Sequence, residues 1–138
     1  MTYVLDTNAV SALMKGTAAV VERLAATAPA EIAVPQPVLA EIAFGIERLP
    51  RSRRRAALQS RFDLISAELP RAEWTDAVSH VFGRIKATLE RRGTRIEDFD
   101  AAIAAHAVAL HATLVTANVD HMIRIPGLLV EDWSSSAT

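Results

Sequence analysis

The stretch "YVLDTN", residues 3–8, decides how the rest of the chain is interpreted. Its first three residues predict a short buried strand, and this strand runs directly into the carboxylate of Asp6. In an open α/β sheet, ligands bind outside the carboxyl ends of the strands, so Asp6 would lie at the functional edge. The same position also suits the cap of a following helix, and position alone leaves both interpretations open.

Composition indicates a single globular protein. The chain has 138 residues, of which 51% are hydrophobic and 22% charged, and it contains no cysteine. This length is enough to bury a core, and the lack of cysteine excludes disulfides and thiolate metal sites. No apolar run reaches the roughly 20 residues that span a membrane, and no signal-peptide pattern opens the chain. We therefore expect a cytoplasmic protein with no membrane partner.

Extended and helical patterns alternate along the chain. Strands are predicted at residues 3–5, 31–34, 64–69, 112–116 and 128–130. Helices are predicted after a cap at Thr7 or Asn8, after Pro37, after a cap at Asp98, and over residues 18–28, 53–62 and 71–92. This alternation predicts an α/β fold with a mainly parallel sheet and helices on both faces. We expect one domain over residues 1–133 and a disordered tail over residues 134–138.

Glu41 is the second candidate site residue. It is the only charged residue in "VLAEIAFGI", residues 38–46, which otherwise reads as an apolar helix. A carboxylate at the margin of a buried face is costly unless it is paired or bound to a cation. A solvated glutamate at the edge of the helix is the competing interpretation.

Two acidic residues open the alanine-rich segment "EDFDAAIAAHA", residues 97–107. Acidic residues in a first helical turn complement the helix dipole, so either Asp98 or Asp100 could do only that. A helix of small residues should pack tightly on its neighbours and hold Asp100 close to the sheet edge. We therefore favour Asp100 as the functional residue and interpret Asp98 as the helix cap or an outer metal ligand.

The segment "LVTANVDHM", residues 114–122, is a strand that runs into a polar turn. Thr116, Asn118 and Asp120 offer oxygen atoms there, whereas a lone histidine such as His121 is more often a surface residue than a ligand. Carboxylates gathered from such distant segments cannot all stay ionised without a cation. Oxygen ligands favour Mg²⁺ or Mn²⁺, and such sites carry out phosphodiester chemistry. No glycine-rich phosphate loop is present, which weighs against a nucleotide triphosphatase.

Positive charge is concentrated although the net charge is only −1. It gathers in "RSRRR", residues 51–55, and in "RIKATLERRGTR", residues 84–95. The arginines of the first run could hold the backbone of a phosphate-rich partner, or they could be a solvated helix start. They are Arg51, Arg53, Arg54 and Arg55.

Four segments together resemble the PIN-domain ribonucleases, and most closely the VapC toxins of type II toxin–antitoxin pairs. They are "LDTN" (5–8), "AEIAFGIE" (40–47), "FDAAIAAHA" (99–107) and "VTANVDHMIRIPGLLVEDW" (115–133). The resemblance covers essentially the whole chain. It implies a Rossmann-like three-layer α/β/α sandwich and a Mg²⁺-dependent endoribonuclease that inhibits translation by cleaving structured RNA, with the anticodon loop of initiator tRNA as a suggested target. It also implies a homodimer and a cognate VapB-type antitoxin that occupies the active-site groove.

The resemblance assigns roles to individual residues. The catalytic and metal-binding carboxylates fall on Asp6, Glu41 and Asp100, and the polar position of the last motif falls on Asn118. Relatives usually carry an acidic residue and then phenylalanine where this chain has His121 and Met122, so Asp120 is an alternative fourth ligand. The side chains expected to orient these ligands without binding the metal are Thr7, Asn8 and Thr116.

Two other functions compete with the ribonuclease. A phosphatase or dehalogenase would use Asp6 as its nucleophile, but position 8 is Asn rather than a second aspartate and no catalytic lysine is evident. A degenerate PIN-fold binding module would hold a partner without catalysis. The intact carboxylate set argues against this second alternative.

Overall fold

The central feature is one parallel sheet, seen in a computed structural model that describes residues 2–134. Residues 135–138 of the predicted tail lie outside the described residues. The strands are β1 (Tyr3–Leu5), β2 (Ile32–Pro35), β3 (Arg71–Ala72), β4 (Thr113–Val115) and β5 (Leu129–Glu131). They lie in the order β3-β2-β1-β4-β5, and every neighbouring pair is parallel. The predicted α/β fold is therefore confirmed.

Helices connect the strands and complete a three-layer α/β/α sandwich. They are α1 (Thr7–Lys15), α2 (Ala18–Ala25), α3 (Gln36–Glu47), α4 (Arg53–Glu68), α5 (Asp76–Arg91), α6 (Asp98–Ala109) and α7 (Val119–Met122). A short 3₁₀ turn, Pro29–Glu31, precedes β2. Within residues 2–134, no helix is both long enough and apolar enough to cross a bilayer.

The sheet places β1 at its centre and makes it the point where the strand order reverses. In the register, Tyr3 lies opposite Ile32 of β2 on one side and Thr113 of β4 on the other. The chain builds β2 and β3 on one side of β1 and then returns to build β4 and β5 on the other. Ligands in such sheets bind at this reversal, outside the carboxyl ends of the strands. The topology therefore places Asp6, the residue that follows β1, at the edge of the sheet where a ligand is expected.

Close packing of α5 on α6 holds the second half of the core together. All seven residues 101–107 of α6 are buried, and five of them are alanine. Helix α5 contributes a buried face at helical spacing, formed by Val78, Val81, Ile85 and Leu89. Because alanine side chains are short, the two helices can approach closely. The predicted tight packing of this small-residue helix is confirmed.

The predicted strand at residues 64–69 is wrong, because residues 64–68 form the end of α4 and Leu69 is its C-cap. The half-buried residues Leu58, Phe62, Ile65 and Leu69 pack against the core at spacings of four, three and four. That spacing is helical, and a short apolar run cannot by itself distinguish a strand from a half-buried helix. The third strand lies instead at Arg71–Ala72, where it pairs with Val34 and Pro35.

Several helix boundaries also differ from prediction. Helix α5 begins at Asp76 rather than at residue 71, because the Thr75 hydroxyl caps it by accepting a hydrogen bond from the Val78 amide. Helix α2 ends at Ala25 rather than at residue 28. Asp98 is the first residue of α6 and not its cap, and the cap position of α1 is Asp6 rather than Thr7 or Asn8.

Candidate active site

An open pocket of about 470 Å³ lies at the carboxyl end of β1. Side chains reach it from the ends of β1 and β4 and from α1, α3 and α6. Among the residues that line it are six of the predicted site residues: Asp6, Thr7, Asn8, Glu41, Asp100 and Asn118. The fold therefore gathers into one cavity side chains that are separated by more than 90 positions in the sequence.

Asp6 is the N-cap of α1 and also lines the pocket. Its side chain is buried, with Oδ1 accepting from the Thr7 amide at 2.7 Å. The other oxygen, Oδ2, accepts from the Thr116 hydroxyl at 2.8 Å and from Nδ2 of Asn8 at 3.2 Å. Burial raises the pKa of Asp6, these donors oppose the rise, and the nearby charge of Asp100 adds to it. The cap and the functional carboxylate are thus the same side chain.

A polar network fixes Asp6 between the ends of β1 and β4. The Thr116 hydroxyl accepts from Nδ2 of Asn8 at 3.1 Å and from the Asn118 amide at 3.0 Å. Oδ1 of Asn8 accepts from the Ala117 amide at 2.8 Å. A hydroxyl has one proton and two lone pairs, so Thr116 uses its full hydrogen-bonding capacity. Thr116 and Asn8 therefore orient Asp6, and Thr116 itself stays buried.

Glu41 enters the pocket from α3. Its Oε1 accepts from the Thr7 hydroxyl at 2.5 Å, which links α3 to the first turn of α1. Partial burial raises the pKa of Glu41, the Thr7 hydrogen bond opposes the rise, and the charges of Asp100 and Asp6 add to it. Repulsion among like charges of this kind is relieved by a bound cation.

Asp100 completes the acidic group from the first turn of α6. It is half-buried, and its Oδ2 lies 3.2 Å from Nε2 of His121. Its charge raises the pKa of both Asp6 and Glu41, which shows that the three carboxylates interact electrostatically.

The other predicted ligands differ in whether they line the pocket and in whether their polar atoms are already paired. Asn118 is exposed and lines the pocket. Asp120 is exposed and is not among the lining residues. Asp98 pairs with Lys86 at 2.7 Å in a separate polar depression. Both ring nitrogens of His121 have partners, so neither is free to bind an ion.

The donor set of the pocket fits a hard cation held partly by water. Within residues 2–134, no three histidine, aspartate or glutamate side chains stand close enough to enclose one ion unaided. Mg²⁺ commonly uses one or two carboxylates and keeps several waters, rather than a cage made only of protein ligands. Asp6 and Asp100, with Asn118 lining the same pocket, match that pattern.

The four arginines of the predicted cluster have different surroundings in the structure. Arg54 lines a groove of about 290 Å³ that adjoins the acidic pocket and shares Glu41 with it. Arg55 pairs with Glu47 at 3.0 Å and donates to the Leu49 carbonyl at 3.0 Å. Arg51 and Arg53 are exposed and line neither cavity.

Sequence reasoning missed four polar residues around the two cavities. Ser11, Lys15 and Thr17 line the acidic pocket, while Arg48 joins Lys15 and Arg54 along the groove. Ser11 and Lys15 follow Thr7 by four and eight positions. Residues at this spacing share one face of a helix, so the periodicity of α1 carried a usable signal.

Comparisons with known proteins agree on the family of this chain. The family model described as "PIN domain" matches residues 3–128. Ribonuclease VapC2 of Rickettsia felis is 34% identical over 135 residues, covering 96% of this chain and 98% of that protein. The tRNA(fMet)-specific endonuclease VapC of Salmonella typhimurium is 34% identical over 99 residues, covering 69% of this chain and 70% of that protein.

A solved structure extends the agreement to three dimensions. In the crystal structure of VapBC2 from Rickettsia felis bound to a DNA fragment from their promoter, the matching chain superimposes with a TM-score of 0.86. The two chains are 31% identical, and the match covers 96% of this chain and 99% of the other.

Proposed function

Because this chain belongs to the PIN-domain family of VapC-type ribonucleases, we propose that it is a Mg²⁺- or Mn²⁺-dependent endoribonuclease and the toxin of a VapBC-type toxin–antitoxin pair. The observation that carries this proposal is the meeting of Asp6, Glu41 and Asp100 in one open pocket at the reversal point of the sheet. Burial and mutual repulsion raise the pKa of the first two, which is the electrostatic setting that a cation relieves.

The residues have distinct roles in this proposal. Asp6 and Asp100 hold the cation, with Asn118 as a further oxygen donor. When bound, Mg²⁺ would supply charge neutralisation at the phosphodiester and lower the pKa of a bound water. Glu41 keeps Oε1 on the Thr7 hydroxyl, and none of the described residues hydrogen-bonds Oε2. Its raised pKa suits Oε2 to accept a proton from an attacking water.

The groove beside the pocket supports RNA as the substrate. Lys15, Arg48 and Arg54 bring positive charge to its walls directly next to the acidic centre. Phosphates that flank the cleaved bond can be held there, because basic side chains provide most of the affinity for nucleic acid backbones. Structured RNA is our proposed substrate, and the name of the Salmonella typhimurium relative favours initiator tRNA. Cleavage of that RNA would inhibit translation in the cytoplasm.

The proposed partners are a cognate VapB-type antitoxin and a second copy of the chain. A toxin–antitoxin complex is the solved form of the Rickettsia felis relative. We propose that the antitoxin covers the acidic pocket and its groove, which would block access of RNA. Co-expression with the product of the adjacent gene and purification of the pair tests this partner directly.

A matched pair of variants in the first turn of α6 tests the catalytic assignment. Asp100→Asn removes a carboxylate from the pocket, whereas Asp98→Asn makes the same chemical change at a residue that pairs with Lys86 outside it. With purified protein, a total RNA pool and Mn²⁺, we expect cleavage by wild type and Asp98→Asn, and none by Asp100→Asn or after EDTA. Equal cleavage by both variants would refute the site.

Sequencing of RNA ends after brief induction identifies the target. We expect new ends in wild-type cells that are missing in cells making Asp6→Ala. If neither metal binding nor cleavage of any RNA occurred with the wild-type protein, the chain would instead be a degenerate PIN-fold binding module.

A further inference from the structure

We propose that His121 is a positioning residue for Asp100, and that Arg124 orients its imidazole so that Nε2–H points at the carboxylate. The role assigned to Asp100 as a metal ligand rests on the proposed function. The hydrogen-bond arrangement around His121 does not, so the two can be tested separately.

The geometry connects three side chains in a row from α7 to α6. Nε2 of His121 lies 3.2 Å from Oδ2 of Asp100, and Nδ1 lies 3.2 Å from Nη2 of Arg124. Arg124 is itself anchored, because its Nε donates to the His121 carbonyl at 2.9 Å and its Nη2 donates to the Arg95 carbonyl at 2.8 Å. The imidazole is therefore held on both sides.

The chemistry of arginine selects the tautomer. A guanidinium only donates hydrogen bonds, so Nδ1 of His121 must accept the one from Arg124. A nitrogen that accepts carries no proton, which leaves the imidazole proton on Nε2. His121 thus donates from Nε2 to Oδ2 of Asp100.

This arrangement distinguishes the two oxygens of Asp100. Oδ2 is occupied by His121, whereas none of the described residues hydrogen-bonds Oδ1. The carboxylate plane is fixed by the Nε2 contact, and Oδ1 is the oxygen left for a cation. Partners of this kind orient metal ligands, and their loss typically lowers metal affinity by about 10- to 100-fold.

Nitrogen NMR of the metal-free full-length chain tests the tautomer. We expect His121 to show a protonated Nε2 and an unprotonated Nδ1, with the resonances assigned by their loss in His121→Ala. A protonated Nδ1 in the wild-type protein would overturn the inference. The carboxyl carbon shift of Asp100 should also change in His121→Ala and stay near wild type in His121→Gln, whose amide can donate in place of Nε2.

Calorimetric titration with Mn²⁺ tests the positioning role. We expect His121→Ala to weaken binding about 10-fold and His121→Gln to recover most of it. His80→Ala, at an exposed position on α5, is the matched control and should bind as wild type does. Wild-type affinity in His121→Ala, or an equal loss in both His121 variants, would overturn the positioning role. If the wild-type protein bound no metal, the proposed function would fail, and the NMR result would decide this inference alone.

Discussion

The hydroxyl of Thr116 donates a 2.8 Å hydrogen bond to Oδ2 of Asp6, across 110 positions of sequence. This bond joins the end of β4 to the end of β1, the two strands between which the sheet order reverses. Thr116 is buried and also accepts from Asn8 and from the Asn118 amide. The orientation of the central carboxylate therefore depends on a residue that follows a different strand.

Thr116→Val should damage both stability and activity. The substitution keeps the shape of the side chain but removes the acceptor of the Asn118 backbone amide and one of the two acceptors of Nδ2 of Asn8, at a cost of about 1–3 kcal/mol. Asp6 loses one of the donors that orient it, so cleavage should fall about 10- to 100-fold. Urea unfolding and single-turnover cleavage measure the two effects.

Thr113→Val is the matched control, because Thr113 is also buried and starts the strand that Thr116 follows, but it makes no hydrogen bond to Asp6. Its activity should stay near wild type. Similar losses of cleavage in the two variants would mean that Thr116 acts only through the stability of the strand.

Asp6→Asn should stabilise the metal-free protein increasingly as the pH rises. Burial raises the pKa of Asp6 above its ordinary 3.8, so between that value and the raised pKa the folded state binds more protons than the unfolded state. The free energy of unfolding contributed by Asp6 therefore falls as pH increases through this window, and it stays lower above it. The Asp6→Asn variant lacks this pH-dependent contribution to the free energy of unfolding.

Thermal unfolding of both proteins over a pH series measures the difference between them. Excess Mg²⁺ should reverse it, since the ion stabilises only the form that binds it. A difference that does not change with pH would contradict the assigned cause.

The basic groove should govern the salt dependence of RNA binding. Lys15→Gln combined with Arg54→Gln removes two charges that line it. Each lost phosphate contact should lower the slope of log affinity against log salt by about 1. Arg51→Gln combined with Arg53→Gln removes the same charge from exposed positions outside the groove. Filter binding in a cleavage-defective Asp100→Asn background measures the slopes of both double variants. Equal slopes would mean that only the net charge of the protein matters, and not the position of the charges in the groove.

An apolar face should mediate self-association. Trp74 and Phe99 are each 46% exposed and line one open depression of about 580 Å³ together with Leu39 and Phe62. Trp74→Gln should weaken the homodimer at least about 30-fold, the equivalent of a hot spot worth about 2 kcal/mol. Ile123→Gln changes a residue that is 59% exposed and lies outside this depression.

Sedimentation equilibrium compares these two variants with the wild type. Ile123→Gln should leave the dissociation constant unchanged. A monomeric wild-type protein, or equal weakening by both substitutions, would rule out this face as the dimer contact.

Local patterns were sufficient to identify the strand before Asp6, the apolar helix that carries Glu41 and the small-residue helix behind Asp100. Each is a property of neighbouring residues, because period and residue size act over one or two turns. The same reasoning failed for residues 64–69, where a half-buried helix and a short strand have similar apolar composition. The third strand has only two residues and was too short to carry a pattern.

The sequence by itself determined which residues can carry the chemistry, and the tertiary structure decided which of them meet. Asp98 and Asp100 are equivalent in type and lie two positions apart, yet a helix turns by about 200° over that distance. One of them therefore pairs with Lys86 while the other faces Asp6 and Glu41. The strand reversal around β1 brings Thr116 to Asp6, and the packing of α7 on the site brings His121 to Asp100. These contacts depend on how distant segments pack against one another, and the periodicity of neighbouring residues contains no information about that packing.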